Sequence, residues 1–247
     1  MADVFDRVQA LPTIAKLWPR EPGVGSNFAS DATHASISTY TVARVLLLDA
    51  MHRLQAAARI AQTPDLARQG THILLLRPAL VSTAKGAWLV QAADTADRVS
   101  RATRLVAEDR RQGASAMGKA VEQGAPDVFG AVGRAFERSR DVVLSAVRDL
   151  TPEVHRRPPR DESMIADLGS AVDSYYGTNS AMSDVQLLWN TSSSLAHGER
   201  WYSTLTAGPR RAPVADILTD RSFDVVCSGL NVTGLRILTL AAARNPN

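Results

Sequence analysis

The chain has 247 residues, 45% of them hydrophobic, which is enough to bury a sizeable core in one large domain or two small ones. Its formal net charge of +3 is too weak to indicate nucleic-acid binding by itself, and its single cysteine, Cys227, excludes a disulfide framework or a cysteine-based zinc site within one chain. The N-terminal segment lacks the apolar stretch of a secretory signal, and no uninterrupted apolar run approaches the ~20 residues of a membrane span. We therefore expect a cytoplasmic protein that does not associate with membranes.

Residues 1–30 are predicted to form an irregular N-terminal arm, because prolines and glycines interrupt this segment repeatedly. A short helix over Val4–Leu11 fits within it. A first long helix is predicted over Thr33–Gln62, a stretch without glycine or proline whose apolar residues recur at helical spacing. A second is predicted over Pro64–Ala92, and Pro78 is expected to kink or split it.

The middle of the chain is predicted to continue as helices. Asp94 is a predicted N-cap for a third helix, Thr95–Gly113, and further helices are predicted over Ser115–Glu122 and Pro126–Leu150. Residues 151–161 are rich in proline and arginine. We interpret them as a connection between helices of one bundle, since neither flank resembles an independent domain.

Three more helices are predicted over Glu162–Tyr176, Ala181–His197 and Pro213–Arg244, with a loop at 199–212 and a possible break at Gly229. Strict alternation of apolar and polar residues is rare, so little β structure is expected. The sequence therefore predicts an all-α protein. Residues 31–247 are expected to form a single helical bundle of about seven to eight helices, preceded by the irregular arm.

Three arginines form a basic edge on the third predicted helix. Arg98, Arg101 and Arg104 follow one another at three-residue spacing, and Glu108 follows Arg104 at i+4 as a local ion-pair partner. Either a solvated helix face or a stripe that contacts phosphates explains such an edge.

The sequence contains no glycine-rich phosphate loop, no His-Glu-x-x-His, no Gly-x-Ser-x-Gly and no Cys-x-x-Cys motif. The spacing of the five histidines does not indicate a metal site. We therefore assign neither a metal nor a cofactor.

One predicted helix carries a row of polar residues suited to general acid–base catalysis. Ser193 and His197 lie one turn apart on the same face, Asn190 lies on that face two turns from His197, and Ser194 borders the face three residues before His197. Gly198 is expected to end the helix, which leaves His197 in the last turn, where a histidine can act as a general acid or base near neutral pH. A structural row, in which the histidine caps the helix and the serines bond to backbone, is the alternative to a functional site.

Two stretches resemble a group of actinobacterial all-helical proteins. One of them, Ser193-x-x-x-His197-Gly198 followed by Arg200 and Trp201, is similar to the Arg-x(4–6)-His signature of HEPN (higher eukaryotes and prokaryotes nucleotide-binding) domains. The other comprises Leu75-Leu76-Arg77-Pro78-Ala79-Leu80, the segment from Ala84 through Trp88-Leu89, and Arg98, Arg101 and Asp109.

The resemblance implies a helical bundle that dimerises and cleaves RNA without a metal, at a composite site formed by the arginine and histidine of two chains. His197 matches the histidine of the signature, but Asn190 stands where its arginine belongs. Asparagine does not supply the fixed positive charge that stabilises a pentavalent phosphate. Arg200 or an arginine of the basic edge would have to take that role in space.

Two hypotheses of function follow, and the sequence leaves open whether the protein is an enzyme. In the first, it is a HEPN-like RNA-binding or ribonuclease-type protein of a defence or toxin system, in which His197 is the acid or base and Ser193 and Asn190 position a phosphate. In the second, it is a non-enzymatic interaction or regulatory protein that forms a homodimer or pairs with an operon-encoded protein. An enzyme acting on a small molecule is a third possibility. The residues assigned to nucleic-acid binding in the first hypothesis are Arg98, Arg101, Arg104 and Arg200.

Overall fold

The structure is a computed structural model that describes residues 2–33, 37–63, 66–67, 70–147, 152–198 and 212–242. All regular secondary structure within these ranges is helical, which confirms the predicted all-α class, with slightly more helices than the seven to eight expected. The nine α-helices in the described ranges are α1 (Ala2–Ala15), α2 (Asn27–Ala32), α3 (Thr39–Ala61), α4 (Thr71–Val90), α5 (Thr95–Glu122), α6 (Val128–Ser145), α7 (Asp161–Tyr176), α8 (Ala181–Ala196) and α9 (Ala212–Ala241). A 3₁₀ turn at Pro152–His155 precedes α7.

The N-terminal segment differs from the predicted irregular arm, because α1 and α2 occupy most of it and only residues 16–26 between them lack helix. Ser26 caps α2, since its side chain accepts a hydrogen bond from the Ala29 backbone N–H at 3.2 Å. Trp18 and Phe28 are buried, so this segment is held by apolar packing that its prolines and glycines did not indicate.

Two residues that usually interrupt helices lie inside helices here. Pro78 lies within α4 without splitting it, and Gly229 lies within α9 without breaking it. A Cβ atom on Gly229 would lie 3.2 Å from side-chain carbons of Leu168 and Thr83. The glycine therefore allows α9 to approach α7 and α4 closely.

Helix α5 is a single helix of 28 residues where two shorter ones were predicted. Asp94 caps it as expected, because its carboxylate accepts a hydrogen bond from the Asp97 N–H at 2.8 Å. Gly113 does not end the helix. A Cβ atom there would lie 3.0 Å from the ring of Phe136, so this glycine makes room for α6 to pack against α5.

The contacts between residues divide the chain into two compact units, whereas the sequence predicted one bundle over residues 31–247. Unit 1 consists of Met1–Arg20, Arg44–Trp88 and Arg160–Thr239. Its largest fully buried side chains come from α3, α4, α7, α8 and α9 and include Leu47, Leu54, Leu76, Leu80, Leu168, Leu188 and Phe223.

Unit 2 consists of Glu21–Ala43, Leu89–Pro159 and Leu240–Asn247. Helices α5 and α6 pack against each other within it, and α2 and the 3₁₀ turn pack against α5. Buried Val99, Val147 and Val154 form a small apolar cluster in this unit. The predicted connection at 151–161 thus contributes Val154 to a core.

Within the described ranges, two helices are long and apolar enough to cross a membrane by length and composition, although no apolar run in the sequence predicted a span. They are Thr71–Val90 and residues Ala215–Ala241, and 61% and 56% of their most apolar windows are buried inside the protein. Core helices of globular proteins have the same properties, so length and composition do not distinguish the two cases.

The close approach of α7 to α8 depends on Gly169. A Cβ atom at this position would lie 3.0 Å from the Met182 Cα atom, and a backbone atom cannot move aside as a flexible side chain can. We predict that Gly169→Ala lowers the free energy of unfolding by about 1–3 kcal/mol, measured by urea denaturation. Gly118→Ala is the matched control. It lies in α5 with nothing within 4 Å of its added Cβ, so it should raise stability by up to ~1 kcal/mol. Equal stability of the two variants would contradict this account.

Candidate functional site

Helix α8 has one face turned to the core of unit 1 and one turned outward. The inward face carries buried Val185, Leu188, Thr191 and Ser192, and the Ser192 hydroxyl donates to the Trp189 carbonyl at 3.0 Å. The predicted polar row lies on the other face. The structure places Asn190 and His197 there as exposed residues, with Ser193 and Ser194 half-buried beside them.

The end of α8 fixes the position of His197. This residue is the C-cap, and its backbone N–H donates to the Ser193 carbonyl at 3.0 Å. Gly198 follows with a φ of +76°, a left-handed conformation that glycine adopts readily, and its N–H donates to the Leu195 carbonyl at 3.1 Å. The helix therefore ends where the sequence predicted, with the imidazole exposed at its carbonyl end.

An arginine that the sequence analysis did not assign to the site lies against α8. The Arg77 guanidinium carbon is 4.1 Å from the ring centroid of Trp189, in cation–π geometry, and both side chains are half-buried. Trp189, Ser193 and His197 succeed one another at four-residue intervals, so they lie along one side of the helix. The four-residue spacing was visible in the sequence, but the pairing of Arg77 with Trp189 joins two distant helices and was not.

Arg98 does not have the role assigned to it, because it is 3% exposed and bound to Asp31, which is 0% exposed. Its Nε atom donates to Asp31 Oδ2 at 3.0 Å and its Nη2 atom to Asp31 Oδ1 at 2.8 Å. The Thr39 hydroxyl donates to the same carboxylate at 2.7 Å. Both the solvated edge and the phosphate-contacting stripe are therefore wrong for Arg98, whose guanidinium is enclosed in unit 2.

The other arginines of the basic edge are also engaged within unit 2. Arg101 donates from Nε to Asp97 at 3.0 Å, and Arg104 donates to the backbone carbonyls of Arg156 and Arg157. The predicted partner of Arg104, Glu108, binds Arg111 instead, at 2.5–2.8 Å. These contacts tie α5 to itself and to the Pro/Arg-rich connection. Arg200, the fourth arginine assigned to nucleic-acid binding, lies outside the described residues.

The histidines that the structure describes do not converge. His52 and His155 are exposed and His72 is buried, while His34 lies outside the described residues. In the described part of the chain, no group of three or more histidine, cysteine, aspartate or glutamate side chains is placed to hold a metal ion.

His72 is a titratable group in the core that no sequence pattern singled out. It is 1% exposed, its Nε2 atom is 3.1 Å from the Thr219 hydroxyl, and its ring stacks on Phe223 at a centroid distance of 6.3 Å. Burial lowers its pKa from 6.5 to about 4, because the charged imidazolium loses its hydration there. His72 is therefore neutral at physiological pH and packs as a core residue.

Comparisons of the chain with protein-family models, with curated proteins and with solved structures found no match. The resemblance to HEPN domains therefore rests on the short motifs quoted above.

The lowered pKa of His72 predicts how stability changes with pH. The unfolded chain takes up a proton at His72 near pH 6.5, but the folded protein takes it up only near pH 4. The contribution of neutral His72 to the free energy of unfolding is therefore fully present above pH 6.5. It is lost as the pH falls toward 4, and the loss is roughly 3 kcal/mol at most. His72→Gln should flatten the pH dependence of the free energy of unfolding in this window. The exposed His52→Gln should leave it as in the wild type, and a wild-type slope in His72→Gln would refute the prediction.

Proposed function

We propose that the outward face of α8 binds single-stranded RNA. The observation that carries this proposal is the stacking of Arg77 on Trp189 beside the polar row. Proteins bind single strands by combining cationic groups with aromatic side chains on which bases stack. This pair supplies both at one place in unit 1.

The cation–π contact supports a role for Arg77 in phosphate binding. The guanidinium carbon lies 4.1 Å from the Trp189 ring centroid, and the five N–H donors of a guanidinium form a planar fork that matches the oxygens of a phosphate. Among the described residues, no carboxylate lies within salt-bridge distance of Arg77. Arg77 therefore supplies the fixed positive charge that Asn190 lacks, although it does so from α4 and not from α8.

The dimensions of the row support a strand that lies along the helix. Trp189 and His197 are eight residues apart, or ~12 Å along the axis. That length matches roughly three nucleotides of a stacked strand at ~3.4 Å each. Asn190 and Ser193 lie between the two ends and offer neutral donors and acceptors to the backbone of the strand.

In the ribonuclease form of this proposal, His197 acts on the bound strand. As a base it takes the proton of a 2′-hydroxyl, whose oxygen attacks the adjacent phosphorus, and water protonates the 5′-oxygen as the P–O5′ bond breaks. As an acid it protonates the leaving 5′-oxygen, and water takes the 2′-hydroxyl proton. The products would be a 2′,3′-cyclic phosphate and a 5′-hydroxyl, without a metal. Binding does not require this step, so the two are tested separately. A cytoplasmic location belongs to the same proposal.

Affinity is measured by fluorescence anisotropy with a labelled single-stranded RNA ten-mer in EDTA. Arg77→Gln and Trp189→Ala should each weaken binding about tenfold, the effect of losing one stacking or charged contact, and Arg77→Gln should also reduce the salt dependence. His197→Ala should bind with little change and should abolish any cleavage seen in the wild type.

Arg138→Ala is the matched control, because it removes an exposed arginine of α6, in unit 2. An equal loss of affinity in Arg77→Gln and Arg138→Ala would show that only net charge matters. That result, or the absence of RNA binding by the wild type at low salt, would refute the proposal.

A second candidate function is a helix-mediated interaction, favoured by an exposed apolar stripe on α6. Val128, Val132 and Val142 are 61%, 40% and 66% exposed. With Ala135 and Ser139 they recur at alternating spacings of four and three residues, the pattern of a helix-pairing seam. Gly133 and Val143 of the same helix are buried.

We infer that a second copy of the chain covers this stripe, because the stripe is self-complementary. Antiparallel pairing of two α6 helices about Glu137 places Val132 opposite Val142 and Ala135 opposite Ser139 of the partner. The Val132→Glu variant should then convert a dimer to a monomer in light scattering. Val24→Glu, a change at a 92% exposed valine outside the stripe, should not. A monomeric wild type would contradict this second candidate.

A further inference from the structure

Unit 1 contains a cleft that no function above uses. Its volume is about 260 Å³, and it lies between α1 and α9. Its walls are largely apolar, with Leu11 on α1, Met51 on α3, and Leu230 and Leu238 on α9. These elements bring together side chains from three separate parts of the chain, so the cleft is a product of the fold.

The indole of Trp18 lines this cleft and has an unsatisfied donor. Trp18 is 7% exposed, and its Nε1 atom is buried without an acceptor among the described residues. A buried indole N–H normally finds an acceptor, because leaving it unpaired is destabilising. An oxygen atom of a ligand in the cleft would accept a hydrogen bond from this N–H.

Helix α9 is shaped to accept the indole. A Cβ atom on Gly234 would lie 3.1 Å from Trp18 Cζ2, so a larger residue at this position would displace the ring. Gly234 also lines the cleft. The ring that carries the unpaired donor therefore has a defined position.

Three polar side chains of the lining, those of Arg7, Tyr176 and Asn231, have partners within the protein. Asn231 donates from Nδ2 to the Tyr176 hydroxyl at 2.8 Å, and Arg7 pairs with Asp224 at 2.7 Å, with both of these charged side chains about half exposed. Cys227 also lines the cleft, and burial raises the pKa of its thiol to about 12, so it contributes a neutral thiol. The cleft thus offers a largely apolar interior, in which the Trp18 indole is a buried donor without an acceptor among the described residues and the Ser228 hydroxyl lies on the wall.

The volume limits the size of a ligand. It lies between that of a cavity of ~150 Å³ that binds benzene and the ~300 Å³ at which pockets for drug-sized ligands begin. At the ~30 Å³ that one water occupies in the liquid, it holds roughly nine non-hydrogen atoms.

We propose that this cleft binds a small apolar carbonyl compound of roughly nine non-hydrogen atoms, whose oxygen accepts a hydrogen bond from the Trp18 indole. The apolar body fills the space between α1 and α9. The site is separate from the outward face of α8, and it does not depend on RNA binding.

The test compares acetophenone with isopropylbenzene, which has nearly the same shape but no acceptor. Binding to the full chain is measured by calorimetry and by ligand-observed NMR. The wild type should bind acetophenone roughly fivefold more tightly than isopropylbenzene, the factor that one hydrogen bond contributes. Trp18→Phe keeps an aromatic ring and removes the donor, so the two affinities should become equal. Trp88→Phe, a buried tryptophan outside the cleft, should keep the difference.

A second pair of variants tests the location without altering Trp18. Ser228→Leu fills the cleft and should abolish binding of both compounds, whereas Arg236→Leu, an exposed change on the same helix, should not. Equal wild-type affinity for the two compounds, or no binding of either, would overturn the proposal. So would acetophenone binding that survives Ser228→Leu unchanged.

Discussion

The buried ion pair between Asp31 and Arg98 is the interaction on which unit 2 depends most. Two charges withdrawn from water are tolerable only with good geometry and further hydrogen bonds, and here the guanidinium makes two contacts to the carboxylate while Thr39 donates a third. The pair joins α2 and the beginning of α3 to α5. Loss of one partner would leave an uncompensated buried charge, which typically destabilises a protein by about 3–5 kcal/mol.

That requirement separates three arginines of α5 from Arg77. Arg98, Arg101 and Arg104 satisfy carboxylates and carbonyls of unit 2, so their spacing reflects how α5 is held in place. Arg77 makes a different kind of contact, since its guanidinium carbon lies 4.1 Å from the Trp189 ring centroid and no carboxylate of the described residues lies within salt-bridge distance of it. A cation of this kind is the one best suited to an outside ligand, and it lies beside the row that contains His197.

Features set by neighbouring residues were predictable from the sequence, and features set by distant contacts were not. The bounds of α8 followed from its apolar spacing and from Gly198, and the Asp94 cap followed from local chemistry. Arg98 was misassigned because its partner Asp31 lies 67 residues away. The sequence predicts a helix end at Gly113, but the helix continues there. The glycine makes room for Phe136 of another helix, a contact that the local sequence does not reveal. The polar row of the candidate site was visible in one helix, but the cation beside it was not.

Binding of single-stranded RNA to the outward face of α8 is tested most directly by photo-cross-linking. The protein is irradiated with a single-stranded RNA that contains 4-thiouridine, and the tryptic peptides that carry RNA are identified by mass spectrometry. If RNA lies on this face, cross-links should concentrate in the peptide of residues 161–200, which contains Trp189 and His197. The yield of these cross-links should fall sharply in Arg77→Gln. Cross-links concentrated on the arginine-rich segment of α5, or unchanged in Arg77→Gln, would contradict this proposal.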